Sequence, residues 1–193
     1  EPVAAAIGAG LDIRSPGGSI VVDVGGGTTD IALVSLNSPV LIDSVRCAGN
    51  KVDESIVRFM KKKHNVLIGE RTAEQIKMQI GIVSPEPPVG TMDVTGRNLV
   101  SGLPTTVHIT AEEISAAVEE PATQILEAIH SVLERTPPEL AADIFERGIT
   151  MTGGGSLVSG FDKLVTARTG IHTEIAEDAI SCVACLLYTS DAA

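Results

Sequence analysis

A glycine-rich bend between two apolar runs is the feature that most constrains the fold of this chain. Residues 21–33 read VVDVGGGTTDIAL, and both apolar runs have the length and composition of buried strands. Three glycines and two threonines leave the backbone N–H groups of the connection open to a close neighbour. The pattern predicts a hairpin whose corner is either a loose turn that needs positive φ angles or a receptor for a ligand.

A second glycine bend follows the apolar strand predicted at 148–152. It comprises Gly153–Gly155, followed by Ser156, and leads toward a helix. A strand, a glycine turn and a helix N-terminus together form a site that an anion or a nucleotide can approach. The first bend is neither a Walker A loop, since no G-K-[ST] follows, nor a Rossmann fingerprint, since it joins strand to strand. The two bends together predict a phosphate gripped by a hairpin.

Composition limits the partners and the environment of the chain. Of its 193 residues 44% are hydrophobic but only 2% aromatic, so aliphatic side chains must build the core, which suits helices packed on a sheet. A net charge of −11 argues against a nucleic-acid duplex or an anionic membrane as partner. Three cysteines without disulfide spacing favour a reducing, cytosolic setting. No stretch approaches the ~20 apolar residues of a membrane span.

Hydrophobic periodicity predicts an α/β chain with an inserted segment. Three strands between residues 20 and 46 form an antiparallel meander, followed by an amphipathic helix over 48–65. Two T-x-x-E/Q patterns, at Thr72 and Thr110, predict capping boxes that open helices. The second helix runs to about residue 134 and contains Pro121, so either two helices abut there or one helix kinks.

The rest of the insertion and the last third of the chain give simpler patterns. Two strands, 91–100 and 105–110, are predicted to be joined by a polar turn at Gly96. From Pro138 onward a short helix, a strand, the second glycine bend, a helix over 160–168 and a strand over 172–175 follow one another. The order predicts one α/β layer interrupted by a smaller subdomain of roughly 60 residues.

Several stretches of the sequence resemble one protein family. DVGGGTTD is similar to the second phosphate-binding hairpin of the actin, DnaK-type chaperone and sugar kinase superfamily, and MTGGGSLVSGFDKL resembles its adenosine motif. EPVAAAIGAGL, GERTAEQIKMQIG and TPPELAADIFERGITMTGGGSLVSGFDKL resemble, nearly phrase by phrase, the MreB family of bacterial actin homologues. The resemblance runs from residue 1 to about 184 and so covers nearly the whole chain.

The resemblance implies an α/β, actin-like ATPase fold of which this chain would be the second half only. Subdomain IIA would comprise residues 1–48 and 112–193, with the α+β subdomain IIB inserted at 49–111. Residues 185–193, CLLYTSDAA, depart from the family pattern and are interpreted as an atypical tail. The sequence also starts without an initiator Met. From this start and the atypical tail, we expect the chain to be a fragment of a longer protein.

The resemblance also implies a function. Members of this family bind ATP with Mg²⁺ between their two halves and polymerise into cytoplasmic filaments at the inner face of the cell membrane, where they organise cell-wall synthesis and rod shape. The expected partners are further copies of the chain and the wall-elongation machinery of RodZ, MreC and MreD type, with no nucleic acid. ATPase activity linked to polymerisation is expected of the intact protein. The first phosphate loop and the membrane-inserting segment belong to the first half, so this chain alone is expected to be inactive.

Individual residues receive roles from the same resemblance. Glu1 matches the catalytic carboxylate that orients the attacking water, and Asp23 matches the carboxylate that supports Mg²⁺ through water. Three groups match cofactor contacts: Gly25, Gly26, Gly27, Thr28 and Thr29 the β/γ-phosphate hairpin, Glu74, Gln75, Ile76 and Lys77 the helix that reaches the ribose and adenine, and Gly153, Gly154, Gly155 and Ser156 the adenosine turn.

Other interpretations stay open at the level of sequence. Glu74 and Lys77 are three residues apart on a predicted helix, which is also the spacing of an ordinary surface ion pair. An ATPase chaperone of DnaK type or a small-molecule kinase would share the fold, although a chaperone would need a peptide-binding domain and a kinase an acceptor pocket. A structural α/β module with glycine turns and no ligand is the third possibility.

Overall fold

The computed structural model describes residues 2–182, in which helices and strands follow the predicted α/β order. The helices are α1 Pro2–Gly8, α2 Gly49–His64, α3 Glu70–Ile80, α4 Ala111–Glu134, α5 Pro138–Arg147 and α6 Phe161–Thr169, with a 3₁₀ turn at Gly154–Leu157. The strands are β1 Ser19–Val24, β2 Thr29–Ser35, β3 Ser38–Val45, β4 Val66–Leu67, β5 Thr91–Asn98, β6 Pro104–Thr110, β7 Ile149–Thr152 and β8 Thr173–Ile175. The predicted tail, 185–193, lies outside the described residues.

A five-stranded mixed sheet with the order β3-β2-β1-β7-β8 forms the larger layer. Strands β1, β2 and β3 pair antiparallel, which confirms the predicted meander. Strand β7 pairs parallel with β1 on one side and with β8 on the other. Because parallel neighbours end at the same edge of a sheet, the segments that follow β1 and β7 leave the sheet side by side.

A smaller antiparallel sheet with the order β4-β5-β6 lies in the middle of the chain. One continuous aliphatic core joins it to the larger sheet through helices α2, α3 and α4, and includes Ile56, Ile76, Ile109 and Ile125, all fully buried. A second, smaller apolar cluster packs the alanines of α1 on the opposite face of the larger sheet. Among the described residues, no helix has the length and apolar character that crossing a bilayer requires.

Helix α4 begins at a capping box, as predicted. The Thr110 hydroxyl accepts a hydrogen bond from the Glu113 N–H at 3.3 Å, and the Glu113 carboxylate accepts one from the Thr110 N–H at 3.1 Å. The helix continues through Pro121 to Glu134 as one element, so of the two alternatives left open by the sequence the structure has a single helix. The capping box predicted at Thr72 is also wrong, because α3 begins at Glu70 with Gly69 as an N-cap that has no side chain to offer.

Gly96 lies inside strand β5 and not in a turn. It pairs with Thr105, and the connection to β6 comes later, at residues 99–103. A Cβ at Gly96 would lie 2.5 Å from Val66 Cγ1 and 2.7 Å from the Leu67 carbonyl oxygen. The glycine therefore permits the close approach of β4, a two-residue strand that the sequence did not predict.

Replacing Thr110 with Ala should destabilise the protein by about 1 kcal/mol, because it removes one half of the α4 capping box. Thr72→Ala is the matched control, since Thr72 lies within the first turn of α3 and does not cap it. Urea unfolding of both variants measures the difference. Equal losses of stability in the two variants would contradict the conclusion that Thr110 caps its helix and Thr72 does not.

Candidate functional site

The two glycine bends pack directly against each other at the edge where β1 and β7 end. Gly153 has φ +81°, and a Cβ there would overlap the Val24 carbonyl and lie 2.5 Å from Asp23 Oδ1. A Cβ at Gly155 would lie 2.6 Å from Val24 Cγ1 and 3.2 Å from the Gly25 carbonyl oxygen. The bends thus meet backbone to backbone, a spacing that only glycine allows.

The corner of the hairpin is fixed by the N-terminus of α2. The Gly25 N–H closes the turn on the Thr28 carbonyl at 3.0 Å, while the N–H groups of Gly49 and Asn50 donate to the carbonyls of Gly25 and Gly26 at 3.1 and 2.8 Å. Since α2 has no side-chain cap, these carbonyls satisfy donors that would otherwise be unpaired. Two backbone hydrogen bonds therefore join the hairpin to the start of the helix.

A cavity of about 300 Å³ opens where the two bends meet α2 and α3. Its volume is at the lower end of the range of small-molecule sites, which start at about 300 Å³. Glycine backbone, charged side chains and apolar side chains all contribute to its wall. The lining residues are Gly25, Gly26, Gly49, Asn50, Asp53, Glu74, Lys77, Met78, Gly154, Gly155, Leu157, Val158 and Ile180.

An ion pair between α2 and α3 is part of this wall. Lys77 Nζ lies 2.9 Å from Asp53 Oδ2, and the two side chains are only 12% and 14% exposed. Burial is the largest cause that raises the pKa of Asp53, and together with the charges of Glu74 and Glu70 it outweighs the opposing hydrogen bond and charge of Lys77. Asp53 Oδ1 is buried and has no hydrogen-bond partner among the described residues. Lys77 thus pairs with Asp53 of the neighbouring helix. The ion pair with Glu74, which the three-residue spacing on α3 would have allowed, is not the one formed.

The structure brings together six of the residues to which the resemblance gave cofactor contacts. They come from all three predicted groups and line the cavity: Gly25, Gly26, Glu74, Lys77, Gly154 and Gly155. The hydroxyls of Thr29 and Ser156 are used within the fold, donating to the carbonyls of Cys47 and Gly153 at 2.7 Å each.

Five other predicted residues do not line the cavity. Thr28 is exposed and its hydroxyl donates to Asp30 at 3.0 Å, and Gly27 is also exposed. Gln75 is exposed on α3, whereas Ile76 is fully buried in the core. Gly153 instead supports the packing of the bends.

The carboxylate assigned to Mg²⁺ support lies at the end of β1. Asp23 is half-buried and stands in register with Thr152 of the parallel neighbour β7. Thr152 Oγ1 is buried and has no partner among the described residues, so a polar group remains to be satisfied beside Asp23. Glu1 lies outside the described residues. Within 2–182, no group of three or more His, Cys, Asp or Glu side chains could by itself hold a metal ion.

Sequence reasoning missed half of the cavity wall. Asn50 and Asp53 are three residues apart at the start of α2, so they share a helical face, a signal that could have been noticed. Leu157 and Val158 directly follow the second bend, but Ile180 carries no signal in the local sequence. The other missed residues are Gly49 and Met78.

Comparison with known proteins identifies relatives over nearly the whole chain. The family model described as MreB/Mbl protein matches residues 1–188. Cell shape-determining protein Mbl of Bacillus cereus is 47% identical over 184 residues, covering 95% of this chain and 55% of the relative. Cell shape-determining protein MreB of Escherichia coli is 48% identical, covering 95% and 53%. The chain thus spans about half the length of the curated relatives it matches.

Solved structures share the fold. MreB5 of Spiroplasma citri bound to AMPPNP superposes with a TM-score of 0.93 at 37% identity, covering 99% of this chain and 58% of that one. The same protein bound to ADP gives a TM-score of 0.93 and covers 59% of that chain. The architecture is therefore the actin-like α/β fold.

Gly153→Ala should destabilise the protein by about 2–4 kcal/mol, because it combines left-handed backbone strain with overpacking against β1. Gly154→Ala, one position along, is the matched control because no atom lies within 4 Å of a Cβ built there. Chemical denaturation of the two variants tests this. If both were equally stable, the backbone packing of the bends would not be the constraint described above.

Lys77→Met should destabilise the protein by about 2–3 kcal/mol at neutral pH, since it leaves a largely buried carboxylate unpaired. The pKa of Asp53 is already raised in the folded state and should rise further. The loss should therefore shrink as the pH falls through that folded pKa and the carboxyl becomes protonated.

Stability measured from pH 7 to pH 4 tests this dependence. Lys51→Met is the control, because Lys51 pairs with Glu54 on the exposed surface of the same helix as Asp53. It should change stability little at any pH. A loss in Lys77→Met that is the same at all pH values would contradict the role of the Asp53 charge.

Proposed function

The chain belongs to the MreB/Mbl family, and we propose that it forms the second half of an ATP-binding, actin-like filament protein that determines cell shape. One observation carries the proposal: the glycine bends after β1 and β7 converge on one cavity. Coverage of 53–55% of the relatives' length supports the assignment to one half of such a protein.

We assign the phosphates of the nucleotide to the hairpin end of the cavity. Gly26 lines the cavity there and is exposed, Gly27 is exposed at the same turn, and Lys77 supplies a positive charge. The adenosine is assigned to the side formed by the second bend and its apolar neighbours Leu157 and Val158. The AMPPNP and ADP bound to the Spiroplasma citri protein, 37% identical to this chain, support a nucleotide as the ligand.

The charges of the site favour a nucleotide that arrives with a divalent cation. Asp53 and Glu74 line the cavity with Lys77, so carboxylates outnumber ammonium groups in its wall. When bound, Mg²⁺ supplies positive charge that offsets the repulsion between phosphates and carboxylates. The unsatisfied Thr152 hydroxyl beside Asp23 suits a cation held through water, the role given to Asp23. Glu1 is proposed to orient the attacking water.

The larger assembly follows from the same proposal. All strands of the larger sheet fall in the ranges assigned to subdomain IIA, 1–48 and 112–193, and those of the smaller sheet in 49–111, assigned to IIB. We expect copies of the protein to form filaments at the inner face of the membrane, with the RodZ, MreC and MreD type of machinery as partners. A chaperone or kinase function is not favoured, because the relatives are named for cell shape.

Gly154→Val should abolish binding of Mg²⁺-AMPPNP while leaving the fold intact. A side chain there meets no protein atom within 4 Å of its Cβ but projects from a residue that lines the cavity. Gly69→Val is the control, since Gly69 is equally open and lies outside the cavity. Isothermal titration calorimetry gives the affinity, and ligand-induced stabilisation in a thermal melt gives an independent readout.

Assembly supplies the second measurement. The complete gene product should pellet in the presence of ATP, and Gly154→Val should reduce the pelleted fraction. Nucleotide binding and ATP-dependent assembly that Gly154→Val leaves unchanged would falsify the proposed role of the bends. Assembly that is the same with and without ATP in both proteins would favour a structural module.

A further inference from the structure

Asp53 is the charged residue of the cavity wall to which the proposed nucleotide contacts give no role. It belongs to α2, whereas its partner Lys77 belongs to α3. The 2.9 Å contact between them is largely shielded from solvent, and both residues line the cavity. The pair therefore joins two helices at the place where a ligand would bind.

The Lys77 ammonium stands beside the glycine hairpin. It lies 3.6 Å from the position that a Cβ on Gly49 would occupy, and the same position is 3.3 Å from the Gly25 carbonyl oxygen and 3.9 Å from Gly26 Cα. The resemblance implied that the helix of Lys77 reaches the ribose and adenine. The geometry instead puts its charge at the end of the cavity assigned to phosphates.

A lysine needs a partner to stay in such a position. Its side chain has four rotatable carbon bonds and a mobile point charge, so ordering it on ligand binding would weaken the affinity. Asp53 Oδ2 holds the ammonium before any ligand arrives. The ordering then occurs during folding, and binding starts from a preorganised cation.

Stability alone is a poor explanation for this ion pair. Buried pairs are often no more stabilising than apolar side chains of similar volume, and burial raises the pKa of Asp53, so its charge is unfavourable in this environment. A desolvated charged pair in the wall of a cavity is typical of functional sites.

We propose that Asp53 is a positioning residue for nucleotide binding, which holds the Lys77 ammonium beside the glycine hairpin so that it meets the phosphate oxygens. This inference rests on the proposed function. It makes a specific prediction, because the Asp53 carboxylate on its own repels phosphate. Removing Asp53 should weaken binding when Lys77 is present and should leave it unchanged or strengthen it when Lys77 is absent.

A double-mutant cycle, in which the affinity for Mg²⁺-AMPPNP is measured, tests this prediction. We expect Asp53→Asn and Lys77→Met each to weaken binding about tenfold, and the double variant to bind no more weakly than Lys77→Met. Glu54→Gln is the matched control, since Glu54 neighbours Asp53 on α2 but pairs with exposed Lys51. It should bind like the unchanged protein.

Thermal melts separate misfolding from loss of binding. If Asp53→Asn does not fold, Asp53→Glu carries the test: its displaced carboxylate should weaken binding only when Lys77 is present. Two outcomes overturn this inference and leave the proposed function standing. The first is wild-type affinity in a folded Asp53 variant, and the second is a loss of affinity from the Asp53 change that is equally large with and without Lys77. All these affinities are measured on the complete gene product. Absence of binding by the unchanged complete product overturns the proposed function and this inference with it.

Discussion

The parallel pairing of β1 with β7 is the constraint on which the rest of the site depends. The two strands are far apart in sequence, and a parallel connection requires a long crossover. Here the crossover holds the rest of the meander, helices α2 to α5 and the whole smaller sheet. Pairing of Asp23 with Thr152 brings the two glycine bends to one edge. Their contact then requires that neither Gly153 nor Gly155 carry a Cβ.

For the proposed function, the charge of the chain makes local recognition of phosphate necessary. A net charge of −11 produces a field that repels a nucleotide at a distance. Attraction has to come from groups within hydrogen-bonding reach, namely exposed hairpin backbone and one fixed ammonium. A cation on the phosphates lowers the same repulsion, which is why the acidic composition is compatible with a nucleotide and not with a duplex.

Local patterns predicted local structure well. The meander, α2 and the capping box of Thr110 depend on neighbours in sequence, so periodicity was enough to find them. The turn at Gly96 failed because that glycine makes room for Val66, which lies well before it in the chain. The glycine pattern indicated both bends. The resemblance added Lys77, but it also included Ile76, which the packing of α3 directs into the core. Asp53 was missed because its role depends on how α2 meets α3.

The start of α2 explains why the hairpin, and not a helix N-terminus, is proposed as the phosphate receptor at this end. A helix N-terminus binds anions through its unpaired N–H groups, yet those of Gly49 and Asn50 already donate to the carbonyls of Gly25 and Gly26. The next N–H, of Lys51, donates to the Ala48 carbonyl. With these donors in use, α2 acts as a support that fixes the corner of the hairpin. The proposed recognition of phosphate is then left to the hairpin backbone and to the Lys77 ammonium, which pairs with Asp53 of the same helix.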